Sequence, residues 1–255
     1  MDTDSMEQTL DPIDVGIIWS RLVSIADEMV SALVRTSFST MVRESGDYSC
    51  MLFDHRGRFL SQGTASVPSF TGTGPATLAG MLQHVPVETL EDGDVLLTND
   101  PWIGTGHVYD INLVKPVFRQ GKLVAFALSV SHLADIGGIG YGTGARDNYE
   151  EGICIPPVKL FSRGAPNRFV FELIEANVRF RDLVVGDIYS NVAACNVAAA
   201  AIADLMAEYA LVDLISIADG IFALTRTAVG EALRALPKGE FKGALSVEGA
   251  YEGAI

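Results

Sequence analysis

Two long apolar runs separated by a short polar turn constrain this chain more than any other feature. Residues 111–118 and 123–131 are almost continuously apolar, and Arg-Gln-Gly-Lys at 119–122 separates them. Apolar runs of this length, joined by a short turn that contains glycine, are typical of a β-hairpin. Because neither run has an alternating polar face, both strands are expected to be buried on both faces.

Helical signals occur on both sides of this hairpin. Asp11 can cap a helix, Pro12 suits the first helical position, and apolar residues then recur at helical spacing as far as Leu33. A short helix is predicted at 76–84. The chain is mostly helical from about residue 167, and its alanine-rich segments predict helices at 187–209 and 212–236.

Further strands are predicted at 48–53, 58–61 and 95–97, and a strand-like pattern resumes at 241–255. The predicted fold class is therefore α+β, with an N-terminal helix, a β-hairpin-rich core, a long-helix segment and the start of a further β region. The predicted organisation is a β-rich region at 12–160, a helical region at 161–238 and the start of a truncated β region at 239–255.

Composition excludes several classes of protein. The net charge of −14 argues against nucleic acid and against an anionic membrane surface as partners. The three cysteines form no C-x-x-C pair, and the N-terminus lacks an apolar leader, so a cytoplasmic protein is predicted. The most apolar stretch, 192–206, is interrupted by Asn196 and Asp204 and is predicted to be a buried helix rather than a membrane span.

Two of the four histidines occur in the same short motif, His-x-x-Asp, at His107–Asp110 and at His132–Asp135. If the middle two residues of the turn form the hairpin loop, Asp110 lies opposite Ser131 and next to His132. The same register places His107 next to Asp135. All four side chains then lie within roughly 10 Å at the open end of one hairpin. Two imidazoles with one or two carboxylates suit a divalent ion such as Mn²⁺, Fe²⁺ or Zn²⁺.

Other interpretations of these residues stay open. A histidine on a strand is commonly a structural hydrogen-bonding group, and His-x-x-Asp also arises by chance. Asn99 and Asp100 are typical of a turn, or they support the site from outside. Glu44 and Asp47, beside Arg43, are either site carboxylates or an ordinary solvated cluster, and the pattern favours the solvated cluster. The sequence has no dinucleotide fingerprint, phosphate loop or nucleophile elbow.

Several longer motifs carry a resemblance to a known family. They are Arg43-Glu-Ser-Gly-Asp-Tyr-Ser-Cys-Met-Leu-Phe-Asp, Gly93-Asp-Val-Leu-Leu-Thr-Asn-Asp-Pro-Trp-Ile-Gly-Thr-Gly-His, Tyr109-Asp-Ile, Ser131-His-Leu-Ala-Asp-Ile-Gly-Gly, Glu151-Gly-Ile-Cys-Ile-Pro-Pro-Val-Lys-Leu and Ala176-Asn-Val-Arg. In this order they resemble the N-terminal half of the hydantoinase B/5-oxoprolinase B family, which includes the large subunits of acetone and acetophenone carboxylases. The resemblance covers most of residues 12–255.

The resemblance implies a division of labour in a hetero-oligomer. A hydantoinase A-type partner uses ATP to phosphorylate a carbonyl or amide oxygen, and the B-type subunit carries a divalent metal (Mn²⁺, Zn²⁺ or Fe²⁺) and completes hydrolysis of a cyclic amide or carboxylation of a ketone. The family's metal ligands match His107, Asp110 and His132. The remaining candidate catalytic residues are Asp135, as a further ligand or base, and Asn99 with Asp100, which would hold the loop.

The chain departs from the family in two respects. Members usually continue into a further β-rich region, and a histidine that they often carry is replaced here by Ser69. The first prediction is therefore a subunit of an ATP-dependent cyclic-amide hydrolase. The alternatives are a ketone carboxylase subunit, a non-catalytic assembly subunit, and a stand-alone metal-dependent amidohydrolase.

Overall fold

The computed structural model describes residues 11–140, 142 and 144–245, and these residues form a mixed α+β fold. The helices are α1 (Pro12–Thr36), α2 (Thr40–Arg43), α3 (Pro68–His84), α4 (Asn148–Glu151), α5 (Arg168–Asn177), α6 (Arg181–Glu208) and α7 (Ile215–Ala235), with a 3₁₀ turn at Val87–Thr89. The strands are β1 (Tyr48–Asp54), β2 (Phe59–Gln62), β3 (Val95–Thr98), β4 (Asp110–Arg119), β5 (Lys122–His132), β6 (Val158–Ser162) and β7 (Ala165–Pro166). The predicted fold class is confirmed.

The predicted hairpin is the centre of a single antiparallel sheet. The strand order is β2-β1-β5-β4-β3-β6-β7, so β4 and β5 are flanked by other strands on both sides. Most residues of the two strands are buried, and the prediction that both of their faces are covered is confirmed. The hairpin lacks a polar face because helices lie on both sides of the sheet.

Successive residues of the central strands contribute to two different apolar clusters. On one face, Ala125 and Ala127 of β5 pack in a cluster with α1 and α6. On the other face, Phe126 and Leu128 pack in a cluster with α3. Because side chains alternate along a strand, the two helical layers together bury the whole length of the hairpin.

The register of the hairpin differs by one residue from the predicted register. Near the turn, Phe118 pairs with Leu123 as predicted, but an irregularity between Val117 and Phe118 inserts one residue into β5. A bulge of this kind shifts every later pair by one position. Asp110 therefore lies directly opposite His132, not opposite Ser131. The two side chains consequently share one face of the sheet.

Element boundaries differ from the predicted ones mainly where local signals are weak. α3 begins at Pro68 instead of residue 76, because Pro68 occupies the first helical turn and the buried Phe70 anchors that turn against the sheet. α6 begins at Arg181 instead of residue 187. The short strands β6 and β7, at one end of the sheet, were not predicted. Residues 241–245 form no strand, and the rest of the strand predicted at 241–255 lies outside the described residues.

The chain divides into two compact units, residues 1–221 and 222–255. The three regions predicted from the sequence, at 12–160, 161–238 and 239–255, stay a prediction. In the first unit, α6 contacts α1, β4 and β5. Within the described part of the chain, α6 is the one helix whose length and composition would allow it to cross a membrane, and half of its most apolar window is buried inside the protein. Core helices pass the same test, and the contacts of α6 are those of a core helix.

Candidate metal centre

The structure brings the three predicted ligands together at the open end of the β4–β5 hairpin. Asp110 begins β4, His132 ends β5, and His107 lies in the loop three residues before Asp110. One ligand atom from each residue lies within 4.8 Å of the other two. The Asp110 and His132 side chains are almost fully buried, whereas 49% of the His107 side chain is exposed. The cluster is therefore walled by protein on one side and open to solvent at His107.

The carboxylate of Asp110 is the centre of the cluster. Its Oδ2 lies 2.9 Å from Nδ1 of His107, and its Oδ1 lies 3.1 Å from Nδ1 of His132. The two imidazole rings meet edge to face, with centroids 5.1 Å apart. The amide of Asp110 donates to the carbonyl of His107 at 3.1 Å, and this turn is what brings residues i and i+3 to the same side.

Charge and burial act against each other in this cluster. Burial acts to raise the pKa of the Asp110 carboxyl, but the hydrogen bonds from His107 and His132 outweigh it and lower the pKa below its usual value. The hydrogen bond to Asp110 raises the pKa of His107, although burial opposes the rise. A carboxylate that stays ionised between two imidazoles is a donor set suited to a cation.

Asp47 is a further carboxylate at the site, which corrects the interpretation of a solvated cluster. Its Oδ2 lies 3.8 Å from Nδ1 of His132, and its backbone carbonyl accepts a hydrogen bond from the His132 amide at 3.0 Å. Burial, the largest effect, and the nearby Asp110 carboxylate raise the pKa of Asp47, although the charge of His132 opposes them. Glu44, by contrast, is exposed, as the sequence pattern favoured.

Asn99 and Asp100 hold the loop that carries His107. The buried Asn99 amide donates to the carbonyls of Val108 (2.6 Å) and Ile153 (2.9 Å), and its oxygen accepts from the Ile155 amide at 2.6 Å. The Asp100 carboxylate accepts from the Trp102 amide at 2.9 Å. Both residues bind backbone groups and lie outside the cluster, and the role predicted for them at the site stays a prediction.

Asp135 is not brought into the cluster. Its carboxylate accepts from the amide of Gly137 (3.0 Å), from the amide of Arg179, and from the Arg179 guanidinium at 3.0 Å. The guanidinium also donates to the carbonyl of Gly138. Asp135 is only 2% exposed, and these donors occupy both of its oxygens. Its contacts fasten the glycine-rich loop to the start of α6 and offer no free oxygen to an ion.

Three supporting residues were not assigned a role from sequence. Tyr109 stacks on His132, with ring centroids 5.2 Å apart and planes 9° apart. Arg179 holds Asp135, and Glu151 accepts from the amide of Val108 at 3.4 Å. All three residues lie in motifs that carry the family resemblance, which is the signal that could have found them. Ser69, where the family often has a histidine, is exposed in the first turn of α3.

The three donors fit one divalent ion. Ligands about 2.1 Å from a metal lie about 3–4 Å from one another. The Asp110 oxygens lie 2.9 and 3.1 Å from the two imidazole nitrogens, and all three ligand atoms lie within 4.8 Å of one another. Two imidazole nitrogens with carboxylate oxygens suit Mn²⁺, Fe²⁺ or Zn²⁺, whereas Ca²⁺ and Mg²⁺ prefer sites made only of oxygen. His107, Asp110 and His132 would hold the ion, and Asp47 lies close enough to be an additional donor.

Fold and site together define a class of protein with an antiparallel sheet between helical layers and a two-histidine, one-aspartate cluster at the end of its central hairpin. A family model described as hydantoinase B/oxoprolinase matches residues 11–252. The chain belongs to this family. The predicted membership is therefore confirmed over almost the whole chain.

Two curated relatives illustrate the similarity. The putative D-/L-hydantoinase B subunit of Pseudomonas sp. (strain NS671) is 30% identical over 252 residues, which are 96% of this chain and 42% of the relative. The caprolactamase β subunit of Pseudomonas jessenii is 31% identical over 251 residues, again 96% and 42% of the two chains. This chain therefore spans about two fifths of the length of these relatives.

Solved structures share the fold. The ATP-dependent caprolactamase from Pseudomonas jessenii aligns with a TM-score of 0.80 at 30% identity, over 91% of this chain and 40% of that chain. Nucleotide-free acetone carboxylase aligns with a TM-score of 0.71 at 23% identity, over 78% and 26% of the two chains. At this lower identity the second similarity is evidence for the fold alone.

Proposed function

We propose that this chain is a cytoplasmic B-type subunit of an ATP-dependent cyclic-amide hydrolase. In this proposal a hydantoinase A-type ATPase phosphorylates the amide oxygen of the substrate, and this chain completes the hydrolysis with a divalent metal. The observation that carries the proposal is the cluster of His107, Asp110 and His132 in a member of this family. Two relatives are named as subunits of hydantoinase and caprolactamase, which supports a hetero-oligomer.

The residues of the cluster have separate tasks in this proposal. His132 and Asp110 are buried and paired across two strands, so they would fix the position of the ion. His107 is half-exposed and lies on a loop, so the substrate would approach from its side. A bound divalent ion would supply Lewis-acid polarisation of a carbonyl or phosphoryl oxygen. Asp47, partly exposed beside His132, is placed to orient a water or accept a proton there.

The state of the cysteines supports the cytoplasmic assignment. Cys50, Cys154 and Cys195 are all free thiols, and Cys50 and Cys195 are buried. Burial raises the pKa of Cys50 to about 12, so this thiol stays protonated and unreactive. Free thiols of this kind suit a reducing compartment.

The test is substrate-dependent ATP turnover by this chain co-purified with an A-type ATPase. ATP hydrolysis should rise with a cyclic amide such as hydantoin, 5-oxoproline or caprolactam, and His107→Ala should abolish product formation. His84→Ala is the matched control, because His84 is an exposed histidine at the end of α3. Turnover with acetone and bicarbonate instead would favour the ketone carboxylase, and no turnover with any of these substrates would favour a non-catalytic assembly subunit.

A further inference from the structure

A group of buried polar side chains lies behind the metal cluster, on the opposite face of the sheet. α6 buries Asp187, Ser190 and Asn191, each at most 2% exposed, among apolar neighbours such as Ala194. Burying polar groups costs free energy unless hydrogen bonds satisfy them. Apolar residues would fill this part of the core at a lower cost, so the contacts of the polar residues need a separate explanation.

Asn191 binds the strand that carries His132. Its Nδ2 donates to Oγ of Ser131 at 2.8 Å, and its Oδ1 accepts from Oγ of Ser129 at 2.7 Å. These two serines lie on either side of residue 130, and Ser131 directly precedes His132. Because adjacent strand residues point to opposite faces, Asn191 fixes the last residues of β5 from behind the cluster.

Asp187, one helical turn earlier on α6, fixes the segment that leads to Asp47. Its Oδ1 accepts from the amides of Phe38 (2.7 Å) and Ser39 (3.2 Å), directly before α2. Ser39 in turn caps α2 through the amide of Val42. Asp187 Oδ2 makes no hydrogen bond within the described part of the chain, so burial of this carboxylate lowers the stability of the fold.

The contacts of Asp187 and of Asn191 are connected to each other near the metal cluster. The amide of Asp47 donates to the carbonyl of Met41 in α2 at 3.3 Å, and the carbonyl of Asp47 accepts from the amide of His132 at 3.0 Å. Nδ2 of Asn191 also donates to the backbone carbonyl of Asp187 at 2.8 Å. A continuous path of hydrogen bonds therefore joins α6 to both elements that carry Asp47 and His132.

We infer that Asp187 and Asn191 are positioning residues that hold Asp47 and His132 in the geometry required for the metal. The inference rests on the proposed function, because it assigns these residues to the same site. Neither residue touches the cluster itself. Their effect on the ion is transmitted through β5 and α2, in the way that outer contacts orient the ligands of other metal sites.

The test is the affinity of the purified full chain for Mn²⁺ and Co²⁺, together with the absorption spectrum of bound Co²⁺, which reports ligand geometry. Asp187→Ala and Asn191→Ala should each weaken affinity by about tenfold or more and shift the spectrum. Asp187→Asn should restore affinity close to wild type, because an amide oxygen can still accept from both backbone amides. The matched control is Cys195→Ala, which removes another fully buried α6 side chain that binds the middle of β5 at Ala127.

The outcomes separate the inference from the proposed function. Wild-type chain that binds neither ion overturns both. Wild-type binding with unchanged affinity in Asp187→Ala and Asn191→Ala overturns the inference alone, as does an equal loss in Cys195→Ala, because a general loss of stability would then explain the result. Should Asp187→Ala not fold, the comparison of Asn191→Ala with Cys195→Ala decides.

Discussion

In the first His-x-x-Asp motif, the amide of Asp110 donates to the carbonyl of His107, and this turn brings the two side chains into contact. In the second motif, His132 still belongs to β5, but the chain then leaves the sheet and the Asp135 carboxylate binds Arg179. The two motifs have the same spacing, but their residues have different places in the structure. Three of the four residues form the metal cluster, and the fourth, Asp135, binds Arg179 beside the glycine-rich loop. Spacing therefore matters less than whether the backbone turns between the two residues.

The largest effect is expected from Asp110→Asn, which removes the charge that both imidazoles contact. Loss of a residue that only contacts a metal ligand lowers affinity by about 10–100-fold, and the loss of metal affinity in this variant should be larger. The measurement is a competitive titration with a chromophoric chelator. Asp135→Asn is the matched control from the second motif and should bind metal like wild type. Equal losses in both variants would show that the two motifs act alike.

Asp135→Ala should lower stability and leave metal binding intact. The amides of Gly137 and Arg179 would lose their buried acceptor, which costs about 1–3 kcal/mol in the free energy of unfolding. Because 52% of the Arg179 side chain is exposed, water can solvate the guanidinium that remains. Urea unfolding of the two proteins measures the difference. Wild-type stability combined with lost metal would place Asp135 at the ion after all.

Asp47→Ala tests the carboxylate that pairing between β1 and β5 brings to the cluster. The backbone bond to His132 remains in this variant, so only the side chain is lost. Affinity for Mn²⁺ should fall by about tenfold. Glu44→Ala, an exposed carboxylate in the same loop, is the control. An equal loss of affinity in Glu44→Ala would show that Asp47 acts only through the negative charge of the surface and not as a donor at the site.

The smallest effect is a pH dependence of stability that differs between the motifs. Burial acts to raise the pKa of Asp135, but the hydrogen bonds from Arg179 and Gly137 lower it. Stability from this group is present above the ordinary carboxyl pKa of about 4 and is lost as the pH falls through the lower folded-state pKa. Asp135→Asn should therefore lose less stability than wild type on acidification.

The stabilisation that His107 contributes should depend on pH in the opposite direction from that of Asp135. Its hydrogen bond to Asp110 raises its pKa, so its stabilisation is present below about pH 6.5 and is lost as the pH rises through the higher folded-state pKa. Metal-free His107→Gln should lose less stability than wild type over that interval. Unfolding curves across the pH range test both signs, and parallel curves for wild type and either variant would contradict the corresponding assignment.

Local pattern was sufficient to predict the central hairpin, because continuous apolar strands and a glycine turn are encoded within about twenty residues. It was not sufficient for the register, since no local pattern marks the extra β5 residue that lies between the pairs of Val117 with Ala125 and Phe118 with Leu123. The one-residue difference brings the two ligands closer than predicted, because it places Asp110 directly opposite His132 and not opposite Ser131.

Asp47 could not be assigned from local pattern for a different reason. Its place at the cluster depends on the pairing of Tyr48 with Ser131, and these residues are far apart in sequence. Nothing in residues 43–47 specifies that partner. Strands β6 and β7 were missed because they are short and partly exposed, so they lack the apolar pattern of the central strands.

Metal analysis of the purified chain decides whether His107, Asp110 and His132 bind one divalent ion. Wild type should contain about one Mn²⁺, Fe²⁺ or Zn²⁺ per chain, the double variant His107→Ala with His132→Ala should contain none, and His84→Ala should match wild type. Wild-type protein without a bound divalent ion, or unchanged metal content in the double variant, would show that these residues do not form a metal site.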